Sequence, residues 1–280
     1  MCFKGTNDGG AYDTVDTQIS NREGNEPKMT HAMSESQKLA DFNQHGDDRK
    51  QITAKELSKL NRYQQFEKKF PFYLMDVNGF MFKVRKAMVD HKPEWKDTPW
   101  LIRCIPLEVM AKEFSTHDSW KDLNNRGSDF AKFLTTVCVH EEDGQSDGHI
   151  SIFKLRNIGL LWCQGDPLEK ACELYENMQD PDKPKIAAND KDFIPNLSAI
   201  LDFATTMVYE QEAMATGNPS AVNIDDWNEK KGDIYDKKAE EFLDSVFESD
   251  SRLDRKDWEK RVAEKMAYLF DPEKIRKEIQ

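Results

Sequence analysis

Long apolar runs are missing from this sequence. Nowhere do about 18 apolar residues stand in a row, so no stretch reads as a membrane-spanning helix. The opening residues, MCFKGTNDGG, lack the apolar core of a signal peptide. Residue 2 is Cys, so the N-myristoylation pattern is absent as well. A basic excess is also missing: 40 Lys and Arg face 52 Asp and Glu, for a net charge of −12. Such a surface repels nucleic-acid phosphate and anionic membrane, so no nucleic-acid partner is expected. It suits a cation or a basic helix, although solubility alone accounts for it equally well. Cysteine is sparse: Cys2, Cys104, Cys138, Cys163 and Cys172, with no CxxC pair. These read as free thiols in a reducing compartment rather than as a metal site.

Catalytic signatures are missing too. There is no P-loop, dinucleotide fingerprint, HExxH or nucleophile elbow. The histidines, His31, His45, His91, His117, His140 and His149, are scattered through polar context. His140-Glu141-Glu142-Asp143 has the composition of a metal motif but lacks its second His. No enzyme and no cofactor are expected.

What is present is helical phase. The 280 residues suit one large domain or two smaller ones. With 38% hydrophobic and 33% charged residues, part of the chain reads as unpacked, while 16 Phe and 6 Trp supply a core for the rest. Residues 1–50 read as a polar, disordered or partner-ordered tail. Order begins at ITAKELSKL, with a Thr53–Glu56 capping box and Ile52 and Leu57 at the staple positions. Pro106 opens a helix. Ser128 caps another, along which Phe130, Phe133, Leu134, Val137 and Cys138 recur on one face. Leu155, Ile158, Leu161 and Trp162 mark the next, and Asp166-Pro167 with Glu169 start a further one. Leu197 to Val208 reads as one helix ended by Gly217 and Pro219. Tyr235 to Phe247, Asp254 to Glu264 and a short helix from Asp271-Pro272 follow. No alternating strand stands out, so the expected class is all-α.

Between two of these helices lies DGQSDGHISIFK, residues 143–154. With Gly148 at the sharp turn of an EF-hand loop, Asp143, Gln145 and Asp147 fall at its first three ligand positions. His149 offers its carbonyl, Ile150 takes the bridge position where such loops pair, and Ser151 is the next ligand. Lys154 then stands where the bidentate Glu belongs, and lysine has no acceptor. The loop is therefore expected to fold without calcium and to bind it more weakly than about 10⁻³ M. The alternative is a low-affinity, calcium-responsive regulator using this loop.

The pattern recurs after LEKACELYENMQDPD, with Ile194 as the expected bridge partner of Ile150 and Ser198 at the twelfth position. It recurs again in AEEFLDSVFESDSRLDRKDWEKRV, with Leu253 as bridge residue and Asp257 at the twelfth position. Asn78-Gly79 and Met81 offer a weak first loop. On ITAKELSKL, DFAKFLTTV, CQGDPLEKACELYENMQD and LDRKDWEKRV, residues 52 to about 270 resemble four-EF-hand proteins of the neuronal calcium sensor and calcineurin regulatory-subunit type. The expected order is a tail over 1–50, three EF-hand-like units over 51–216, a linker over 217–232, and a fourth unit with a C-terminal helix over 233–280. The resemblance implies four units grouped in two pairs and an apolar groove that takes a partner helix or extended segment. By analogy, the function is that of an interaction or structural protein, cytoplasmic, in a cytoskeletal or ciliary assembly.

Overall fold

Helix starts are fixed by side-chain caps. Asp76 accepts from the Gly79 amide at 2.7 Å and Ser128 accepts from that of Ala131 at 3.1 Å. Asp166 accepts from Leu168 and Glu169 at 2.8 and 2.9 Å, while Glu169 accepts back from the Asp166 amide at 3.0 Å, closing a capping box. Asp254 caps with the Asp257 amide at 3.0 Å.

The structure is a computed structural model that describes residues 62–94, 103–139, 148–178, 185–188, 193–217, 220 and 222–279. The described residues belong to one unit, Lys55–Gln280. The tail over 1–50, the Thr53–Glu56 cap, and Asp143, Gln145 and Asp147 lie outside the described residues.

Helix α1, Arg62–Glu67, leads through a 3₁₀ turn at Pro71–Leu74 into α2, Val77–His91. Strand β1, Cys104–Pro106, runs straight into α3, Leu107–Phe114, and a 3₁₀ turn at Asp118–Asn124 precedes α4, Asp129–Val137. Strand β2, His149–Ser151, opens α5, Ile152–Trp162, and α6 follows over Pro167–Met178. Then come β3, Lys185–Ala187, α7, Phe193–Ala204, and α8, Thr206–Thr216. The chain ends with α9, Ile224–Phe247, β4, Arg252–Asp254, α10, Arg255–Lys265, a 3₁₀ turn at Ala267–Phe270, and α11, Pro272–Ile279. The fold is mostly helical, with two small two-stranded sheets. Among the described residues, no helix is long and apolar enough to cross a membrane.

Each strand sits between two helices, and the strands pair antiparallel. Ile105 faces Ile150 in the first ladder, and Ile186 faces Leu253 in the second. Leu253 thus occupies the expected ladder position, whereas Ile150 pairs with Ile105 and not with Ile194. Ile194 lies in the first turn of α7 and is 37% exposed. Ile186, in the stretch between LEKACELYENMQDPD and Ile194, takes the ladder position instead. Asn78, Gly79 and Met81 are no loop either: they form the first turns of α2 behind the Asp76 cap. An Asp-x-x-Gly run serves a helix cap as readily as a metal loop, because both need a short carboxylate turned onto backbone amides.

Two boundaries differ from expectation. Residues 224–232, read as linker, form the first third of α9, capped by Asn223. That stretch buries only Trp227, so it carries no apolar period to read. Because β3 and β4 share a ladder, the segment over 217–232 does not set the elements after it apart from those before it. Leu197 to Val208 is two helices, α7 and α8, separated at Thr205. Gly217 does end α8, in the left-handed region at φ 64°.

The buried apolar residues form one core, with an aromatic group near each ladder. Around the first, Phe72, Phe80, Phe114 and Trp120 pack ring to ring, with Phe114 and Trp120 centroids 4.4 Å apart. Around the second, Trp258 packs on Tyr175 and Phe242. A buried polar seam joins them. Arg156 of α5, fully buried, donates to Asn177 and, at 3.4 Å, to Glu173, both on α6. Arg85 of α2 pairs with the same carboxylate. Burial first, then the nearby Arg85 charge, pushes the Arg156 guanidinium down to about 9. Asn157 donates to Asn196 of α7 at 3.2 Å.

Candidate functional site

The stretch over 143–154 is described from Gly148 onward, where it enters the first ladder. Gly148 has φ 82°, in the left-handed region that favours glycine. Its carbonyl accepts from Leu107 at 3.0 Å, and the Ser151 amide donates to Cys138 at 2.7 Å. Ile150 is fully buried. His149 stands at the ladder end opposite Pro106. Ser151, an expected ligand, instead N-caps α5: its hydroxyl accepts from the Lys154 amide at 3.3 Å. Lys154 therefore sits in the first turn of a helix, where the dipole disfavours a cation. Its charge also reaches the buried Cys138 thiol, whose pKa burial pushes up to about 12 against a small lowering by Lys154.

Backbone hydrogen bonds, a buried Ile and a serine cap thus hold this corner on the described side of the loop. Lys154→Glu is expected to add Ca²⁺ binding, because it restores two oxygens and reverses one charge at the coordinating position. Calorimetric titration of both proteins checks this. Micromolar binding by the unchanged protein, or no gain in the variant, would contradict it.

A second candidate is a groove of about 700 Å³ between α1, α4 and α8. Its floor is aromatic: Phe66, Phe70, Phe130 and Phe133. Phe70 stacks on Phe133 at 4.0 Å, and Trp162 of α5 stacks behind both, 6.2 Å from Phe70 and 5.6 Å from Phe133. The period of α4 sets this up, since Phe130 and Phe133 are one turn apart on its inner face. The rim is polar and of mixed charge, with Lys69 and Lys132 against Asp122 and Asp129. On the far wall stands Met214 of α8, 74% exposed, a flexible apolar side chain that fits varied surfaces. Sequence reading found Phe130 and Phe133 as a core face but passed over Met214, whose helix shows no clear apolar stripe.

Among the described residues, those lining the groove include no nucleophile–base pair. Among the described residues, no cluster of His, Cys, Asp and Glu could hold a metal ion. Cys138 and Cys163 are buried thiols held protonated by burial, and Cys104 and Cys172 are half-buried. No family model matches the chain, and no curated protein or solved structure matches it either.

Proposed function

We propose that the chain is a non-enzymatic interaction module of EF-hand-like build, with four units in two pairs, that grips a partner helix without needing calcium. The observation that carries the binding reading is the groove: a stacked aromatic floor, a polar rim and an exposed Met214. The floor rings are themselves buried core, so Met214 is the apolar side chain that an amphipathic helix would meet first. The EF-hand-like reading is supported by the helix–strand–helix repeat and the two antiparallel ladders, Ile105 with Ile150 and Ile186 with Leu253. Calcium independence is supported by Lys154 at the ligand position and by the Ser151 cap. The net charge of −12 favours an occupant with apolar anchors and basic flanks.

Designed amphipathic helices with Leu and Trp anchors test this, in Lys-flanked and Glu-flanked versions, by calorimetry in EDTA and in millimolar Ca²⁺. The Lys-flanked helix should bind equally well in both. Met214→Glu should weaken it about tenfold or more, a loss of about 1.4 kcal/mol or more, while leaving thermal stability unchanged. No binding by either peptide, or binding indifferent to Met214→Glu, overturns the groove reading. Affinity that appears only with Ca²⁺ overturns the calcium-independent half and favours a regulator using the 143–154 loop.

A further inference from the structure

The corner between α9 and α10 is built like a cation site, yet the chain supplies the cation itself. Helix α9 is 24 residues long and ends with carbonyls that lie beyond its last internal bonds and with the negative end of its dipole. Arg261 of α10 reaches back to this end. Its Nη1 donates to the Val246 carbonyl at 3.0 Å and to that of Phe247 at 3.3 Å. Its Nη2 donates to the Asp250 carboxylate at 2.6 Å, and Glu248 lies 3.8 Å from Nη1. One turn on, the Lys265 ammonium donates to the Ser245 carbonyl at 3.1 Å and pairs with Glu248. Three main-chain carbonyls and two carboxylates are thus divided between two positive groups that share Glu248, an all-oxygen surrounding of the chemical kind that hard cations favour.

The backbone at this corner is unusual as well. Glu248 has φ 53° and ψ −112° and is the one non-glycine residue with positive φ among the described residues. An L side chain adopts such a conformation only where its surroundings hold it. Here the Glu248 amide donates to Asp244 at 3.1 Å and the Asp250 amide to Phe247 at 2.8 Å, and the two cations on the Glu248 carboxylate add to that hold. The Lys265 hydrogen bond keeps that carboxyl below the usual carboxylate range.

We propose that Arg261 and Lys265 are a resident cation pair that does in the fourth unit what a bound divalent ion does in a calcium loop: it neutralises the carboxylates, ties the helix-end carbonyls together and holds α9 against α10. The charges balance, two carboxylates against two cations, so the corner closes whatever the ambient calcium. The inference rests on the calcium-independent reading above and gives it a mechanism at a second loop.

Arg261→Met, Lys265→Met and the double variant test it, by thermal unfolding in EDTA, in millimolar Ca²⁺ and at raised ionic strength. The unchanged protein should show the same Tm with and without Ca²⁺. In EDTA the double variant should lose about 2–6 °C, and Ca²⁺ should return part of that loss by entering the vacated oxygen set. Asp250→Asn in the double-variant background should abolish the return. If the double variant fails to fold, the single variants, each keeping one cation, carry the same comparison.

Three results would overturn the proposal. One is a Ca²⁺-dependent Tm in the unchanged protein that Asp250→Asn removes. Another is a double variant as stable as the parent. The third is a destabilised double variant that ignores Ca²⁺, which would reduce Arg261 and Lys265 to ordinary surface pairs. Peptide binding in the groove is a separate measurement, so failure here is distinct from failure of the binding reading.

Discussion

Glu173→Ala should cost about 3–5 kcal/mol, the range for removing one partner of a buried ion pair. Arg156 is fully buried, and Glu173 is a carboxylate hydrogen-bonded to it. Burial already holds its pKa down to about 9, so the charged guanidinium is a cost at neutral pH that Glu173 and Asn177 offset. Without Glu173, the Arg156 and Arg85 charges lose the carboxylate they share, and the more distant Glu176 is a weaker counterweight for Arg156. For a unit of this size the Tm should fall by roughly 6–20 °C.

Because the seam joins α5 to α6, the loss should fall on the joint between the two ladder-centred halves. Urea unfolding should then broaden, with tryptophan fluorescence and far-ultraviolet dichroism giving different midpoints. Glu173→Leu combined with Arg156→Met removes both charges and should recover most of the stability, since a well-packed apolar pair replaces a buried ion pair at little cost. A Glu173→Ala protein within about 0.5 kcal/mol of the parent would mean that the seam is wet and Arg156 well solvated.

That seam was invisible in the sequence, and the reason is physical. Arg156 falls between Leu155 and Ile158 in a helix whose apolar face is plain, and an arginine there reads as solvent-facing. Only the packing of α5 against α6 and α7 buries it on a second side. What was legible was local: the phase of Phe130 to Cys138, the Asp166–Glu169 capping box, the helix restart at Asp254 and the Gly217 stop. Each is fixed within one or two turns. The ladders were legible only in part, because three-residue strands are too short to show a period of two. Ile150 and Leu253 could be recognised from the turns before them. Their partners could not, since Ile105 and Ile186 stand beside prolines and charged residues and are chosen by non-local pairing. The groove was half legible for the same reason. Phe130 and Phe133 announce an apolar face, but the open side above them depends on where α1 and α8 lie.

Gly159→Ala should destabilise the protein by about 1–3 kcal/mol, the usual range for overpacking, even though alanine is the better helix former by about 1 kcal/mol. A Cβ at Gly159 would stand 2.2 Å from the Phe80 ring. Phe80 cannot swing away, because it is fully buried and its ring packs on Phe72, Phe114 and Trp120 at centroid distances of 5.6 to 5.8 Å. The added methyl must therefore push α5 from α2. That motion carries Trp162, one turn further along the same face, which backs Phe70 and Phe133 in the groove floor. Two readouts should consequently move together: the denaturant midpoint and the affinity of the groove for the Lys-flanked helix. Shortening the obstructing ring with Phe80→Leu in the Gly159→Ala background should restore part of both, with a coupling of about 0.5 kcal/mol or more. If Gly159→Ala raises stability instead, helix propensity has outweighed the contact, and α5 is free to shift without disturbing the aromatic floor.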